Sequence, residues 1–252
     1  MDRARFTALL DEIFPPGRFT DAAENGLQIE GGPEVTRVVC GVTANLALID
    51  AAIADGADAI VVHHGLVWGG GIRRLDGWLK TRIERLIRHG ISLYAYHLPL
   101  DAHPEIGNNV GLAKALGVVE LAPFGRYKNQ FIGSRGVLEP ATTLPELVLR
   151  ARASVVGDGA IAAFGDPSRP IRTVGLCSGG APELVYEAVS LGLDAYVTGE
   201  TTEYVKAIAD ESGTAFLALG HHATERFGAR ALAGALCALG VQATFIDVEN
   251  PA

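Results

Sequence analysis

Residues Arg37–His64 read RVVCGVTANLALIDAAIADGADAIVVHH, and residues Thr173–Glu200 read TVGLCSGGAPELVYEAVSLGLDAYVTGE. The two stretches align without a gap. Asp58 falls on Asp194, an offset of 194 − 58 = 136, and at that offset Val38 meets Val174, Leu48 meets Leu184, Ala52 meets Ala188, Gly56 meets Gly192, Ala59 meets Ala195 and Val61 meets Val197. In the first copy, Arg37–Thr43 has the β-branched apolar content of a strand, Asn45–Asp55 that of a helix, and Asp58–His63 that of a second strand. Continuous apolar runs such as AIVV belong to strands covered on both faces. The next units correspond at a shorter offset: ISLYAYH…LAKALGVV resembles GTAFLALGHH…LCALGVQA, with Leu116-Gly117 on Leu239-Gly240. A generic βα pattern produces part of such a match. The gapless run with a shared G-x-D-A points instead to an internal duplication.

Working outward, the rhythm continues with a Gly-rich loop after His64, a helix from about Trp78 to His89 and a strand Ile91–His97. The fold class expected is α/β, with two similar α/β lobes whose mixed sheets are flanked by helices. The loop-like stretch Ala122–Asn129 (APFGRYKN) offers a boundary, giving one lobe from residues 1–124 with 220–252 and a second from 125–219. Gly157–Pro170, rich in Gly, Asp and Pro, reads as a surface loop. The N-terminal MDRARFTALLDEIF is an amphipathic helix with Phe6, Leu9, Leu10, Ile13 and Phe14 on one face, and lacks the apolar core of a secretory leader.

Composition bounds the function. At 252 residues, 48% hydrophobic and 20% charged, the chain has the make-up of a globular protein. No apolar run reaches the ~20 residues that span a bilayer. A net charge of −8 argues against general nucleic-acid binding. It leaves room for a phosphorylated small substrate, because bound cations invert the local field. Cys40, Cys177 and Cys237 are far apart, form no CxxC pair and lie in apolar runs. They read as buried free thiols, which suits a reducing cytoplasm.

The chemistry lies in the histidines. The chain has seven, and six fall in VVHHGLVWGGG, YAYHLPLDAH and LGHHATERFG. Each of these segments joins a strand-like run to a loop or helix start, where α/β sheets place ligands. His63 and His64 both face one cavity only if their strand ends there; alone, one is a buried hydrogen-bonded residue and the other exposed. Pro99 argues against a helix between His97 and Asp101, leaving a strand-end loop that presents Asp101. His103 reads as a further polar group nearby or a solvated loop residue. His221 and Glu225, at i and i+4, share a helical face, whereas His222 points some 100° away. His63, His64, Asp101, His221 and Glu225 make five donors of imidazole and carboxylate type. One structural zinc needs only four, so five suit two ions with a bridging carboxylate, assigned to Glu225, and open positions for water. Mixed His and carboxylate ligation fits Zn, Mn, Fe or Co. His97 is then a general acid/base or second-layer group, or a strand-end histidine held by a carbonyl. Arg73 and Arg74 either meet phosphates or form a solvated loop face.

At these residues the sequence resembles the GTP cyclohydrolase I type 2 homologue family, also called the NGG-interacting-factor-three-like or dinuclear-metal-centre family. ENGLQIEG, VVHHGLVWGG, YAYHLPLDAHPEIGNNVGLAKALG, DAYVTGE, GHHATERFG and FIDVENPA carry the resemblance over nearly the whole chain. It implies the same five metal ligands and two divalent ions per subunit. It also implies two α/β lobes and a toroidal homohexamer with the metal pairs facing its cavity. The implied activity is hydrolytic opening of a purine nucleotide ring by metal-activated water. The competing readings are a non-catalytic metal-binding or interaction protein forming a ring, and a two-metal phosphoesterase or peptidase.

Overall fold

The strand-like runs form strands because both of their faces find apolar cover. A computed structural model describes residues 1–15 and 17–252. In chain order the elements are α1 (Arg3–Ile13), β1 (Gly26–Ile29), β2 (Arg37–Thr43), α2 (Leu46–Asp55), β3 (Ala59–His64), α3 (Gly77–Arg88), β4 (Ser92–Ala95), α4 (Leu98–Asp101), α5 (Asn108–Leu116), β5 (Val118–Tyr127), β6 (Gln130–Thr142), α6 (Leu144–Ala151), β7 (Ala162–Phe164), β8 (Ile171–Leu176), α7 (Val185–Ser190), β9 (Ala195–Thr198), α8 (Val205–Ser212), β10 (Ala215–Ala218), α9 (His221–Ala238) and β11 (Gln242–Phe245). The chain divides into two compact units, Met1–Leu100 with Gly228–Glu249 and Asp101–Phe227 with Asn250–Ala252. Among the described residues no helix is long and apolar enough to cross a membrane.

The first unit is built on a sheet of order β1-β4-β3-β2-β11, parallel except for β1, which runs antiparallel to β4. Val39, Ile60, Val62, Leu93 and Ala95 pack with Leu48, Ile49 and Ala52 of α2 and Ile83 and Leu86 of α3. Phe6 of α1 meets Tyr94 edge-on at 5.4 Å, and Phe14 lies 4.8 Å from Tyr96. Asp2 caps α1 by accepting from the Arg5 amide, and Asn45 caps α2 by accepting from Leu48.

The second unit has a sheet of order β5-β6-β8-β9-β10-β7, with β8, β9 and β10 parallel and the flanking strands antiparallel. Successive residues alternate between two cores. Ala195, Val197 and Leu217 join Leu112 of α5 and Leu147 of α6. Tyr196 and Phe216 join Phe124, Val185 of α7 and Val205 of α8. Fully burying a Val, Leu or Phe side chain among these contributes roughly 1.5–3 kcal/mol.

The two units repeat one another in detail. β2 and β3 pair Val38 with Ala59 and Cys40 with Val61, while β8 and β9 pair Val174 with Ala195 and Leu176 with Val197, the same register shifted by 136. The shared G-x-D-A has a physical meaning. Asp58 Oδ2 accepts from the backbone amides of Thr36 and Arg37 at 2.8 and 2.9 Å, and Asp194 Oδ2 accepts from Arg172 and Thr173 at 3.0 and 2.8 Å. Each aspartate pins the start of the neighbouring strand, and its own carbonyl accepts from the strand beyond, from Ser92 N and Ala215 N respectively.

Burial alone would raise the Asp194 carboxyl, but the hydrogen bonds from Thr173 and Arg172 outweigh it and hold the group below the usual range. The folded value therefore lies below the unfolded one of about 3.9. The stabilisation is complete above that value and is lost as pH falls through the folded value. Asp194→Asn is expected to be less stable than the wild type in urea unfolding at pH 7, and the gap should shrink below about pH 4. A gap independent of pH would contradict this account.

Local expectations fail at four places. Residues 122–129, read as loop-like, form the end of β5 and the turn into β6. Pro123 is tolerated there because β5 is an edge strand. Lys128 and Asn129, at φ 45° and 64°, make the two-residue turn. Residues 98–101 form a helical turn, since Pro99 sits in its first turn, where no amide is needed. Residues 157–170, read as a surface loop, include the edge strand β7. Finally, Cys40 and Cys177 are buried, but Cys237 near the end of α9 is exposed. Burial pushes the Cys40 thiol up to about 12 and Cys177 also well above its ordinary range. A thiol reagent at pH 8 is expected to modify Cys237 alone in the native protein and all three cysteines after denaturation.

Candidate metal centre

Three imidazoles converge in the first unit. β3 ends at His64, so the pleat no longer sends His63 and His64 apart, and their ring centroids lie 4.5 Å from each other. His97, just past β4, lies 4.9 Å from His63 and 5.7 Å from His64. One nitrogen from each ring falls within 4.8 Å of the others, a set able to hold a metal ion. Each Nδ1 is engaged: His63 with the Tyr96 carbonyl at 3.1 Å, His64 with Thr43 Oγ1 at 3.2 Å, His97 with Asp21 Oδ1 at 2.8 Å. Holding Nδ1 orients each ring, and where the proton sits on Nδ1 it is Nε2 that could serve as ligand or proton acceptor. Trp68 closes one side, its ring 5.1 Å from His97 and its indole N–H donating to the Gly65 carbonyl.

The second unit gathers carboxylates around one imidazole. Asp101 ends α4 and is buried; Asn108 Nδ2 and Ser178 Oγ both donate to its Oδ1 at 2.9 Å. His221 opens α9, with Nε2 3.2 Å from Glu225 Oε1 one turn along and Nδ1 2.7 Å from Glu200 Oε1. An oxygen of buried Glu225 lies within 4.8 Å of one of Asp101. Burial disfavours charge on His221, yet Glu225 and Glu200 outweigh it and raise the ring to about 9. That field favours any positive charge placed there.

The loop after β8 is glycine for steric reasons. Gly179 has φ +68°, and a Cβ on it would stand 2.2 Å from Glu225 Oε1.

Of the sequence-predicted residues, the structure groups His63 with His64 in the first unit, and Asp101, His221 and Glu225 in the second. His97 belongs with the first group. His103 Nδ1 accepts from the amides of Glu105 and Ile106, which is a loop-shaping role. Arg73 and Arg74 are exposed, and Arg74 pairs with Asp76 at 2.8 Å. The ENGLQIEG segment braces the histidines: Asn25 Oδ1 accepts from the His97 amide, and Gln28 Oε1 accepts from Leu66 and Val67. Sequence reasoning missed Asp21, Ser178 and Glu200. Glu200 left a trace, since it stands at offset 136 from His64. Asp21 left none, because it lies in a loop and meets His97 from 76 residues away.

The model of the Duf34/NIF3 (NGG1p interacting factor 3) family matches residues 1–251. The chain belongs to this family. Curated members include a Neisseria meningitidis protein 42% identical over 99% of both chains and a Pseudomonas aeruginosa protein 41% identical over 96% of this chain and 95% of its own, each named GTP cyclohydrolase 1 type 2 homolog. Among solved structures, protein ybgI, described as of unknown function, is 38% identical over the full length of both chains with a TM-score of 0.93. A protein from Thermus thermophilus is 35% identical over 99% of both, with a TM-score of 0.85.

Proposed function

We propose that this Duf34/NIF3 chain is a metal-dependent hydrolase in which His63, His64, Asp101, His221 and Glu225 together hold two divalent ions, with Glu225 as the bridge. The observation that carries the reading is the donor chemistry of the two groups. One offers imidazoles whose Nδ1 atoms are already tied down; the other offers two buried carboxylates beside an imidazole held by Glu200. Buried carboxylates this close repel one another, and a cation relieves that cost. Five protein donors leave positions for water on a pair of ions.

Zn, Mn, Fe or Co held there would supply Lewis acidity and a nucleophilic water at neutral pH. The protein's own part is orientation. Asn108 and Ser178 fix Asp101, Thr43 and Tyr96 fix the paired histidines, and Glu200 fixes His221. The relatives' name makes a purine nucleotide the first substrate class, with ring opening and formate release as the reaction. The homohexameric ring is part of the same proposal, and sedimentation velocity reads it directly.

The test is a screen of purified, metal-loaded protein against nucleotides, phosphoesters and peptides. Formate and a ring-opened product from GTP support the cyclohydrolase reading. Turnover of phosphoesters or peptides alone keeps the hydrolase and replaces its substrate. Metal-dependent partner binding with no turnover on any class overturns the reading in favour of a non-catalytic metal protein.

A further inference from the structure

His97 stands beside the paired histidines but is not among the five ligands proposed, and the carboxylate behind it is placed with unusual care. Asp21 is nearly inaccessible, its side chain 3% exposed, although it lies outside any helix or strand. Its Oδ1 accepts from His97 Nδ1 at 2.8 Å and from the Ala23 amide at 3.1 Å. Its Oδ2 accepts from the Leu98 amide and from Asn25 Nδ2, both at 3.0 Å. The His97 amide itself donates to Asn25 Oδ1 at 2.8 Å. Residues 21–25 thus grip His97 at the ring and at the backbone. A carboxylate accepts only, so a bond from Nδ1 to Asp21 requires the proton on Nδ1, and in the neutral imidazole this leaves the lone pair on Nε2.

We propose that Asp21 is a positioning residue that locks His97 as the Nδ1–H tautomer, so that Nε2 accepts a hydrogen bond from the attacking water beside the ligand histidines. This rests on the hydrolase reading for its role in turnover, but not for the tautomer itself. The rings of His63, His64 and Trp68, 4.9, 5.7 and 5.1 Å from His97, bound the space around the imidazole. Water that donates one hydrogen to Nε2 has its oxygen lone pair turned toward the electrophile. This is how an oriented imidazole serves hydrolytic sites on unrelated folds.

The decisive variant is Asp21→Asn. The Oδ2 position receives two fixed donors, Leu98 N and Asn25 Nδ2, against the single fixed donor Ala23 N at Oδ1, where His97 can change tautomer, so the amide oxygen of the substituted side chain belongs at Oδ2. Its NH₂ then faces His97 and donates to Nδ1, which forces the proton onto Nε2 and removes the acceptor. Long-range ¹⁵N–¹H spectra of ¹⁵N-histidine-labelled full-length protein read the tautomer, and elemental analysis reads the ions. The expected result is Nδ1–H in the wild type, Nε2–H in Asp21→Asn, and unchanged metal content in Asp21→Asn and His97→Gln. On whichever substrate the wild type turns over, kcat should fall by at least about 100-fold with KM within about twofold; a misplaced proton in an Asp–His pair costs up to about 10⁴ in kcat. Asp21→Glu should keep the Nδ1–H tautomer and restore part of the rate. An Nε2–H tautomer in the wild type, or the same tautomer in wild type and Asp21→Asn, overturns the proposal. So does loss of an ion from His97→Gln, which would make His97 a ligand. A wild type with two ions and no turnover refutes the hydrolase reading and the water-orienting role, and leaves the tautomer lock to be judged by the spectra.

Discussion

Glu225→Ala is expected to remove metal-dependent stability altogether. The Glu225 carboxylate is buried 3.2 Å from His221 Nε2 and within 4.8 Å of an Asp101 oxygen, and we assign it as the bridge between two ions. Ions that bind only the folded state stabilise it by mass action, by about 4 kcal/mol for a site at a thousandfold excess over Kd. At about 2–4 °C per kcal/mol for a chain of this size, chelation should lower the wild-type Tm by roughly 8–16 °C per site. Losing the bridge weakens both ions at once, so the variant should show the same Tm with and without chelator. Differential scanning fluorimetry in Zn²⁺ or Mn²⁺ and in EDTA makes the comparison. A wild type indifferent to EDTA, or a variant that still responds fully, would contradict the assignment.

Gly179→Ala is the second large effect, and it comes from a residue that ligates nothing. A non-glycine residue at φ +68° costs roughly 1–2 kcal/mol. The added methyl would also stand 2.2 Å from Glu225 Oε1. The backbone cannot retreat easily: Gly179 N donates to Thr224 Oγ1 at 3.0 Å, and its carbonyl accepts from Gly199 N at 2.8 Å and Thr198 Oγ1 at 3.1 Å. The side chain of Glu225 must therefore shift, and with it the ligand position we propose. The protein should still unfold cooperatively, about 2–4 kcal/mol less stable in urea. Its metal affinity should fall at least about tenfold, as for losses among the groups that support ligands. Gly234→Ala is the control, because a Cβ there would meet nothing within 4 Å. Equal metal affinity in Gly179→Ala and wild type would show that Glu225 is not held where we place it.

Much of this architecture is legible in the sequence because the same physics is written twice. The match of Asp58 to Asp194 marks two side chains that pin neighbouring strands by the same pair of amide bonds. The end of β3 at His64 and the start of α9 at His221 follow from apolar periodicity and the glycines beside them. What the sequence hides is non-local or depends on the edge of a sheet. Pro123 and Gly125 look like breaks, yet an unpaired strand edge tolerates them. Pro99 looks like a helix breaker, yet the first turn accepts it. The carboxylates behind the imidazoles are the clearest case. Asp21 and Glu200 are ordinary acidic residues until folding brings them to His97 and His221.

The central claim is tested most directly by counting ions. Protein purified natively and re-equilibrated with micromolar Zn, Mn, Fe or Co should carry two divalent ions per chain by elemental analysis, falling to one or none in His64→Ala and to none in Glu225→Ala. A wild-type chain that takes up none of these metals, or variants that keep both ions, would contradict the account.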